Sequence, residues 1–175
     1  MSSTLSSQTR LYLLDAPAPL AQSLQVERWV GHEALSELYR WDIFALSADH
    51  SIALSALMGQ KITLLTTLAD GSRCPRSGLV STAARLGSDG SLTRYHLTLV
   101  PWLWMLTQSF RSRVYQDKTV QAIIGEVFAR YEQYASWRFR GDAKRLLDTV
   151  RPRSYCVQYR ESDFDFVQRL LAEEG

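Results

Sequence analysis

From Leu24 to Val100, apolar and polar residues alternate with a period of two between clusters of turn residues, the pattern of half-buried strands. Leu38, Arg40, Asp42, Phe44 and Leu46 alternate with Tyr39, Trp41, Ile43 and Ala45, so both faces of this segment carry apolar groups. That predicts a central strand or one at an interface. Ile62, Leu64, Thr66 and Leu68 form the next alternating set, and Asp70-Gly71 closes it with residues suited to the positive φ of a hairpin turn. A strand containing Gly78-Leu79-Val80 returns, and Ser88-Asp89-Gly90 marks a further turn. Tyr95, Leu97 and Leu99 then line one face while Arg94, His96 and Thr98 line the other. These segments predict a small antiparallel barrel or sandwich.

After Pro101 the periodicity changes. Pro101 suits the first position of a helix, and Trp102-Leu-Trp-Met-Leu106 is apolar on every side, which predicts a buried helix. Val120, Ile123, Ile124, Val127, Phe128 and Tyr131 follow the i, i+3, i+4, i+7 rule, with Thr119 placed to cap the helix they predict. Beyond the break at Arg151-Pro-Arg153, Tyr155, Val157 and Tyr159 alternate with Cys156, Gln158 and Arg160 in a short strand. Ser162 with Asp165 three residues on resembles a capping box, Asp163 and Asp165 complement the positive end of a helix dipole, and Phe166, Val167, Leu170 and Leu171 form the buried stripe. The expected fold class is therefore α+β. A loose Ser-rich head and lead-in is expected over 1–23, a β-barrel-like domain over 24–108, and a mixed helix–strand segment over 109–175.

Composition narrows this picture without redirecting it. The chain has 175 residues, 46% hydrophobic and 22% charged, values that place it among globular proteins and away from disordered chains. A formal charge of +2 is too small to draw the chain onto nucleic acid by counterion release. Cys74 and Cys156 stand far apart with no CxxC spacing, so they define neither a disulfide framework nor a zinc site. The apolar run Leu11–Leu14 is stopped by Asp15 and two prolines, too short for the core of a signal peptide. No stretch approaches the ~18 apolar residues of a membrane span. Cytoplasmic assembly is expected, with any exit by a route other than a signal peptide.

The candidates for chemistry are sparse. His32, His50 and His96 are scattered, none with a second ligand at metal-site spacing. Gly141-Asp-Ala-Lys144 lacks the spacing and the preceding strand of a phosphate loop, and no G-x-S-x-G elbow is present. Glu161, Asp163 and Asp165 suggest a carboxylate pair for hydrolysis, but a helix start accounts for all three together with the apolar stripe that follows. Trp102, Trp104, Trp137, Tyr155 and Tyr159 among basic residues allow a base-stacking platform on an oligonucleotide-binding-like barrel, a reading the small net charge opposes. No catalytic residue, metal or cofactor is expected.

Several phrases, taken in order, carry a resemblance. They are Gly31-His-Glu-Ala-Leu-Ser-Glu-Leu-Tyr39, Leu57-Met-Gly-Gln60, Arg76-Ser-Gly-Leu-Val80, Tyr95-His-Leu-Thr-Leu-Val-Pro-Trp-Leu-Trp104 and Phe110-Arg-Ser-Arg-Val-Tyr-Gln-Asp-Lys118. Sharpest of all is Tyr155-Cys-Val-Gln-Tyr-Arg-Glu-Ser-Asp-Phe-Asp-Phe166. Over about residues 24–175 the chain resembles the N-terminal hub region shared by VgrG-type type VI secretion spike proteins and the baseplate hubs of contractile phage tails. Ser77 is a departure, since an aromatic residue or His often precedes the glycine in that family. The resemblance implies a structural role as part of a larger hub: a homotrimer joined to tail-tube and baseplate proteins, with a needle, a spike-tip protein and effectors attached through later parts of the chain. It implies secretion by the type VI apparatus itself, a target membrane pierced by the needle and not bound by this region, and no nucleic-acid partner. Tyr155, Val157, Gln158, Tyr159, Arg160, Glu161, Ser162, Asp163, Asp165 and Phe166 are the expected structural signature, and Tyr39 and Trp41 the expected exposed aromatics of an interface between copies.

Overall fold

The structure, a computed structural model, describes residues 10–17 and 23–175. The chain divides into two compact units, Met1–Pro101 and Trp102–Gly175.

The first unit is built on one antiparallel sheet. Its strands are β1 (Tyr12–Asp15), β2 (Gln25–His32), β3 (Arg40–Ser47), β4 (Lys61–Thr67), β5 (Arg73–Ser88) and β6 (Thr93–Val100), in the order β1-β4-β5-β6-β3-β2. Cα atoms of the two edge strands, β1 and β2, approach within 8 Å, so the sheet curls into a half-barrel. Ile43, Ile62, Leu64, Tyr95, Leu97 and Leu99 are fully buried inside it. All are odd or even partners of the period-two runs, as a strand with one face inward requires. A single-turn helix, α1 (Leu54–Leu57), adds Leu57 to the same core.

β5 owes its length to two irregularities. Register shifts between Val80 and Thr82 and between Arg85 and Gly87 bend the strand, so its first part pairs with β4 and its second with β6. Gly78 lies where these partners converge: a Cβ there would stand 2.9 Å from the Val100 carbonyl oxygen and 3.0 Å from Leu99 Cβ. The hairpin turns form where Asp-Gly pairs are found. Asp70 accepts the Ser72 amide at 2.9 Å with Gly71 at φ 82°, and Asp89 accepts the Leu92 amide at 2.8 Å with Gly90 at φ 94°.

The lead-in differs from expectation. Residues Tyr12–Asp15, in the lead-in to which no strand was assigned, form β1 and pair with β4 from Tyr12↔Thr66 to Asp15↔Thr63, with Leu14 in the core. Four residues are too few to show a period, and the ordering comes from the open edge of β4. The Ser-rich stretch 1–9 and residues 18–22 lie outside the described residues.

The second unit pairs β7 (Phe110–Tyr115) with β8 (Cys156–Ser162) in a two-stranded antiparallel sheet. Its helices are α2 (Trp104–Thr107), α3 (Val120–Ala129), α4 (Gly141–Thr149) and α5 (Asp163–Glu174). Thr119 caps α3 by accepting the Ala122 amide at 3.2 Å, and Val120, Ile123, Ile124, Val127 and Phe128 form its buried stripe. Together with Leu106, Tyr115, Phe166 and Leu170 they make a second core. The run Trp102–Leu106 was expected to be a buried helix, but it gives only one helical turn. Leu106 is fully buried, while Trp102, Leu103 and Met105 are partly buried against the second core. This packing puts the division between units at Pro101 and Trp102, a few residues ahead of the boundary expected at 108. Helix α4 had no counterpart in the sequence reading because Leu147 is its one buried residue, and one apolar position sets no period.

Val127 is fully buried between Ile123, Ile124 and Phe128. Val127→Asp, which places an unpaired carboxylate there, is expected to abolish soluble folded protein, whereas Ala122→Asp on the exposed side of the same helix should leave it intact. Soluble yield and far-ultraviolet circular dichroism check this; a folded Val127→Asp protein would show that the stripe is not core.

Candidate functional site

The residues singled out by sequence converge on the turn from β8 into α5. Arg111 pairs with Glu161 and Arg113 with Gln158, so β8 has one residue more than β7 between these two pairs. The surplus is taken up as a bulge, with Arg160 at φ 50° and its amide donating to Ser112 Oγ at 3.2 Å. The bulge shifts the alternation of β8 by one residue, so Glu161 comes opposite Arg111 on the side of Gln158; Gln158 and Ser162 are both buried. Ser162 then starts the helix: its Oγ accepts the Asp165 amide at 3.0 Å and donates to Asp165 Oδ2 at 2.7 Å. Phe166 is fully buried and stacks on Tyr115 with centroids 5.6 Å apart.

Asp163 does more than complement the helix dipole. It is fully buried, and both its oxygens are engaged. Oδ2 accepts from Tyr131 Oη at 2.7 Å and Arg130 Nη1 at 3.3 Å, with Arg111 Nε at 3.5 Å. Oδ1 accepts from Gln158 Nε2 at 2.8 Å. The Asp163 amide donates to the Ser109 carbonyl at 3.0 Å, and Arg130 Nη2 donates to Tyr115 Oη at 3.0 Å. One carboxylate thus ties β7, β8, the end of α3 and the start of α5. Burial of a charge is tolerated only with such partners, and here two guanidiniums and two neutral donors replace its lost water. The Tyr131 phenol is held above its ordinary value: burial raises it, a hydrogen bond with Ser109 lowers it, and the bond to Asp163 with its charge raises it further. The sequence signal for this network was a Gln at an inward strand position and an Arg-Tyr pair ending an apolar helix stripe, neither of which was read as linked to Asp163.

A second set of contacts closes the surface side. Arg169 donates to Glu161 Oε1 at 2.7 Å and to the Val157 carbonyl at 3.0 Å, and Arg153 pairs with both Glu173 and Glu174 near the end of α5. The hydrogen bond from Arg153 holds the Glu173 carboxyl below its ordinary range, against a smaller opposing effect of burial and with help from Arg169. Tyr155 and Tyr159 are more than half exposed, Val157 is half-buried and Asp165 is exposed.

Tyr39 and Trp41 are not brought to this place and are not both exposed. Trp41 is only 5% accessible and belongs to the first core, stacked on Tyr39 with centroids 4.2 Å apart. Tyr39 is half-buried and donates to the Ser77 carbonyl at 2.7 Å. The expected exposure of Trp41 fails because the odd positions of β3 point inward, and Gly31 across the strand pair makes the room: a Cβ there would stand 2.8 Å from Trp41 Cδ1.

This arrangement holds structure together more readily than it performs chemistry. Asp163 is fully buried and accepts from Tyr131, Arg130 and Gln158, with the Arg111 guanidinium close by as a counter-charge. Among the described residues no three His, Cys, Asp or Glu side chains are placed to hold a metal ion. His96 lies 2.9 Å from Asp42, on the outer face of the first sheet, but Arg40 and Thr98 share that carboxylate. Burial raises the Asp42 carboxyl, and hydrogen bonds from Arg40, Thr98 and His96 outweigh it, leaving it below the ordinary range. No helix among the described residues is long and apolar enough to cross a membrane.

Residues 32–175 match the family described as phage tail baseplate hub (GPD). The type VI secretion system spike protein VgrG1b of Pseudomonas aeruginosa is 36% identical over 98% of this chain and 22% of its own length. The chain thus spans about a fifth of that relative. An Escherichia coli component of the type VI secretion system, itself described as similar to the T4 bacteriophage tail proteins gp27 and gp5, superposes with a TM-score of 0.72 at 26% identity, over 91% of this chain and 42% of that one. A 43 kDa tail protein of prophage MuSo2 from Shewanella oneidensis shares the fold, with a TM-score of 0.64 at 13% identity over 93% of this chain and 47% of its own.

Three substitutions separate the parts of the site. Ser162→Ala, which removes the helix cap, should cost about 1 kcal/mol in denaturant unfolding. Asp163→Ala should cost about 3 kcal/mol, near the low end for breaking a buried ion pair because both guanidiniums reach solvent. Tyr131→Phe carries a pH signature. A phenol raised in the folded state contributes stability that is complete below its ordinary value near 10 and is lost as pH rises through the raised folded value. Between neutral pH and pH 11 the parent chain should therefore lose more stability than Tyr131→Phe; equal losses would place the effect elsewhere.

Proposed function

The chain belongs to the phage tail baseplate hub family, and from that membership we propose that it forms part of the hub of a type VI secretion spike. The observation that carries this reading is the continuous family match across both units, joined to a relative named as a spike protein that aligns over nearly the whole chain. The role is structural, in keeping with the relatives, and no catalytic activity is proposed. Three copies would form a ring attached to the tail tube and baseplate. The needle, the spike-tip protein and any effector would attach through later parts of the chain, and the assembled spike would leave the cell through the apparatus itself. The needle pierces the target membrane; this region binds neither membrane nor nucleic acid. The hub of a contractile phage or phage-like particle is the second reading, favoured by the prophage tail protein of the same fold.

Closed three-fold symmetry requires one patch to meet a different patch on the next copy. Hub contacts must also offset roughly 4–15 kcal/mol of lost rigid-body freedom per association before any affinity appears. The 175-residue chain is therefore expected to sediment as a monomer or a weakly associating species at micromolar concentration, and the full-length protein as a stable trimer. A tight dimer of the full-length protein would refute the three-fold hub. A gel shift at low salt that weakens with added salt would instead favour an oligonucleotide-binding-like domain.

A further inference from the structure

The longer helices of the second unit are held unequally. Helix α3 buries Val120, Ile123, Ile124, Val127 and Phe128 behind its Thr119 cap, and α5 buries Asp163, Phe166, Val167 and Leu170 behind its Ser162 cap. Helix α4, nine residues long, buries Leu147 alone, and Arg140 at its N-cap makes no side-chain capping bond. A helix this short depends on packing, since isolated helices below about 12–15 residues are marginal in water. The chain on either side of α4 adds little: over residues 132–150, Leu147 is the one buried residue. Ala135 and Phe139 are partly buried against the second core. Trp137, 41% accessible, meets Phe128 edge to face with centroids 4.9 Å apart and Phe139 in the same way at 5.3 Å.

Both ends of this stretch are fixed. Before it, buried Tyr131 donates to Asp163 Oδ2 at 2.7 Å. After it, the Arg153 amide donates to the Lys118 carbonyl at 2.9 Å, the Lys118 amide donates back at 3.3 Å, and the Arg153 guanidinium pairs with Glu173 and Glu174. Between the two ends, the Lys144 amide bonds to the Arg140 carbonyl at 2.8 Å and Lys144 pairs with Asp148, contacts that tie the stretch to itself and not to the core. We propose that residues 132–150 form a strap that opens and closes on the folded second unit, hinged at Tyr131 and Arg153, with Leu147 as its latch. Segments with few buried apolar contacts open locally at a fraction of the cost of global unfolding. Opening withdraws Leu147 from the core and Trp137 from Phe128, whose other edge contact, Trp102 at 4.9 Å, lies outside the strap. The Asp163 network and the strand pair keep their places. The strap lies wholly within one unit and needs no three-fold ring, so it stands or falls apart from the hub reading.

The test is hydrogen exchange of the 175-residue chain, read residue by residue by nuclear magnetic resonance at several low denaturant concentrations. Amides of residues 144–149 should be protected, yet at least about a hundredfold less than those of residues 124–128 in α3, and their exchange should depend little on denaturant because a local opening exposes little surface. Leu147→Ala should speed exchange over 144–149 by at least about tenfold, as truncation of a buried leucine implies, and leave 124–128 unchanged. In a Cys74→Ser background, Leu147→Cys should react with a thiol reagent under native conditions well before Cys156, which is buried in the core outside the strap. Equal protection and equal denaturant dependence in α3 and α4 would overturn the proposal, showing that the unit opens only as a whole. So would a Leu147→Ala variant that speeds both helices alike, or a Leu147→Cys thiol as slow as Cys156. No protection at all over 144–149 would also overturn it, since a strap that never closes has no latch.

Discussion

The second unit depends on a single buried negative charge. Asp163 sits at the junction of β8 and α5 with no access to water, and its partners come from three places in the chain: Arg111 from β7, Arg130 and Tyr131 from the end of α3, Gln158 from β8. Ion pairs of this kind contribute little net stability compared with an apolar replacement, but removing one member is costly because the others are left uncompensated. The constraint is therefore one of arrangement. If α3 ended one residue earlier or the β8 bulge were absent, Tyr131 or Gln158 would point elsewhere and the carboxylate would be buried without donors. The bulge at Arg160, the cap at Ser162 and the stack of Phe166 on Tyr115 are all consistent with placing that one group.

The first unit solves a different problem, that of bending one sheet far enough to enclose its own core. β5 bends at two register shifts and uses Gly78 at the point of closest approach, where any side chain would press on Val100 and Leu99. Two edges remain, β1 and β2, and curling brings them near each other, which limits the open hydrogen-bonding edge that a flat six-stranded sheet would present.

What could be read from the sequence follows from how strongly each position is bound to a period. β3, β4 and β6 and helix α3 repeat their apolar residues several times, and their faces were legible. The Ser162 cap was legible because its spacing to Asp165 is local. β1 and α4 were not, since the first is four residues long and the second buries only Leu147. The Asp163 network was hidden for another reason. Its hydrogen-bonded members lie 5, 32 and 33 residues from Asp163, and each alone has an ordinary local explanation as a strand residue, a helix end or a dipole charge. The inward turn of Trp41 was missed because both faces of β3 are apolar, so alternation alone does not say which is covered; Phe44, on the other face, is instead capped by Arg28 at 3.6 Å and stacked on His96.

The two units differ in where they place their aromatic rings. In the first unit Trp41 and Tyr95 point inward, and Phe44 is shielded by an arginine and a histidine, so its surface offers few large apolar groups from the centre of the sheet. In the second unit Tyr115 and Phe166 are core, but Phe110, Tyr155 and Tyr159 on the same pair of strands point outward. A two-stranded sheet has room for both because each strand alternates, and nothing in the stability of the unit requires the outward set to be aromatic. The half-barrel keeps its largest rings inside the curl of one sheet, whereas the smaller unit, whose interior is fixed by Asp163, carries rings on both sides of its strand pair.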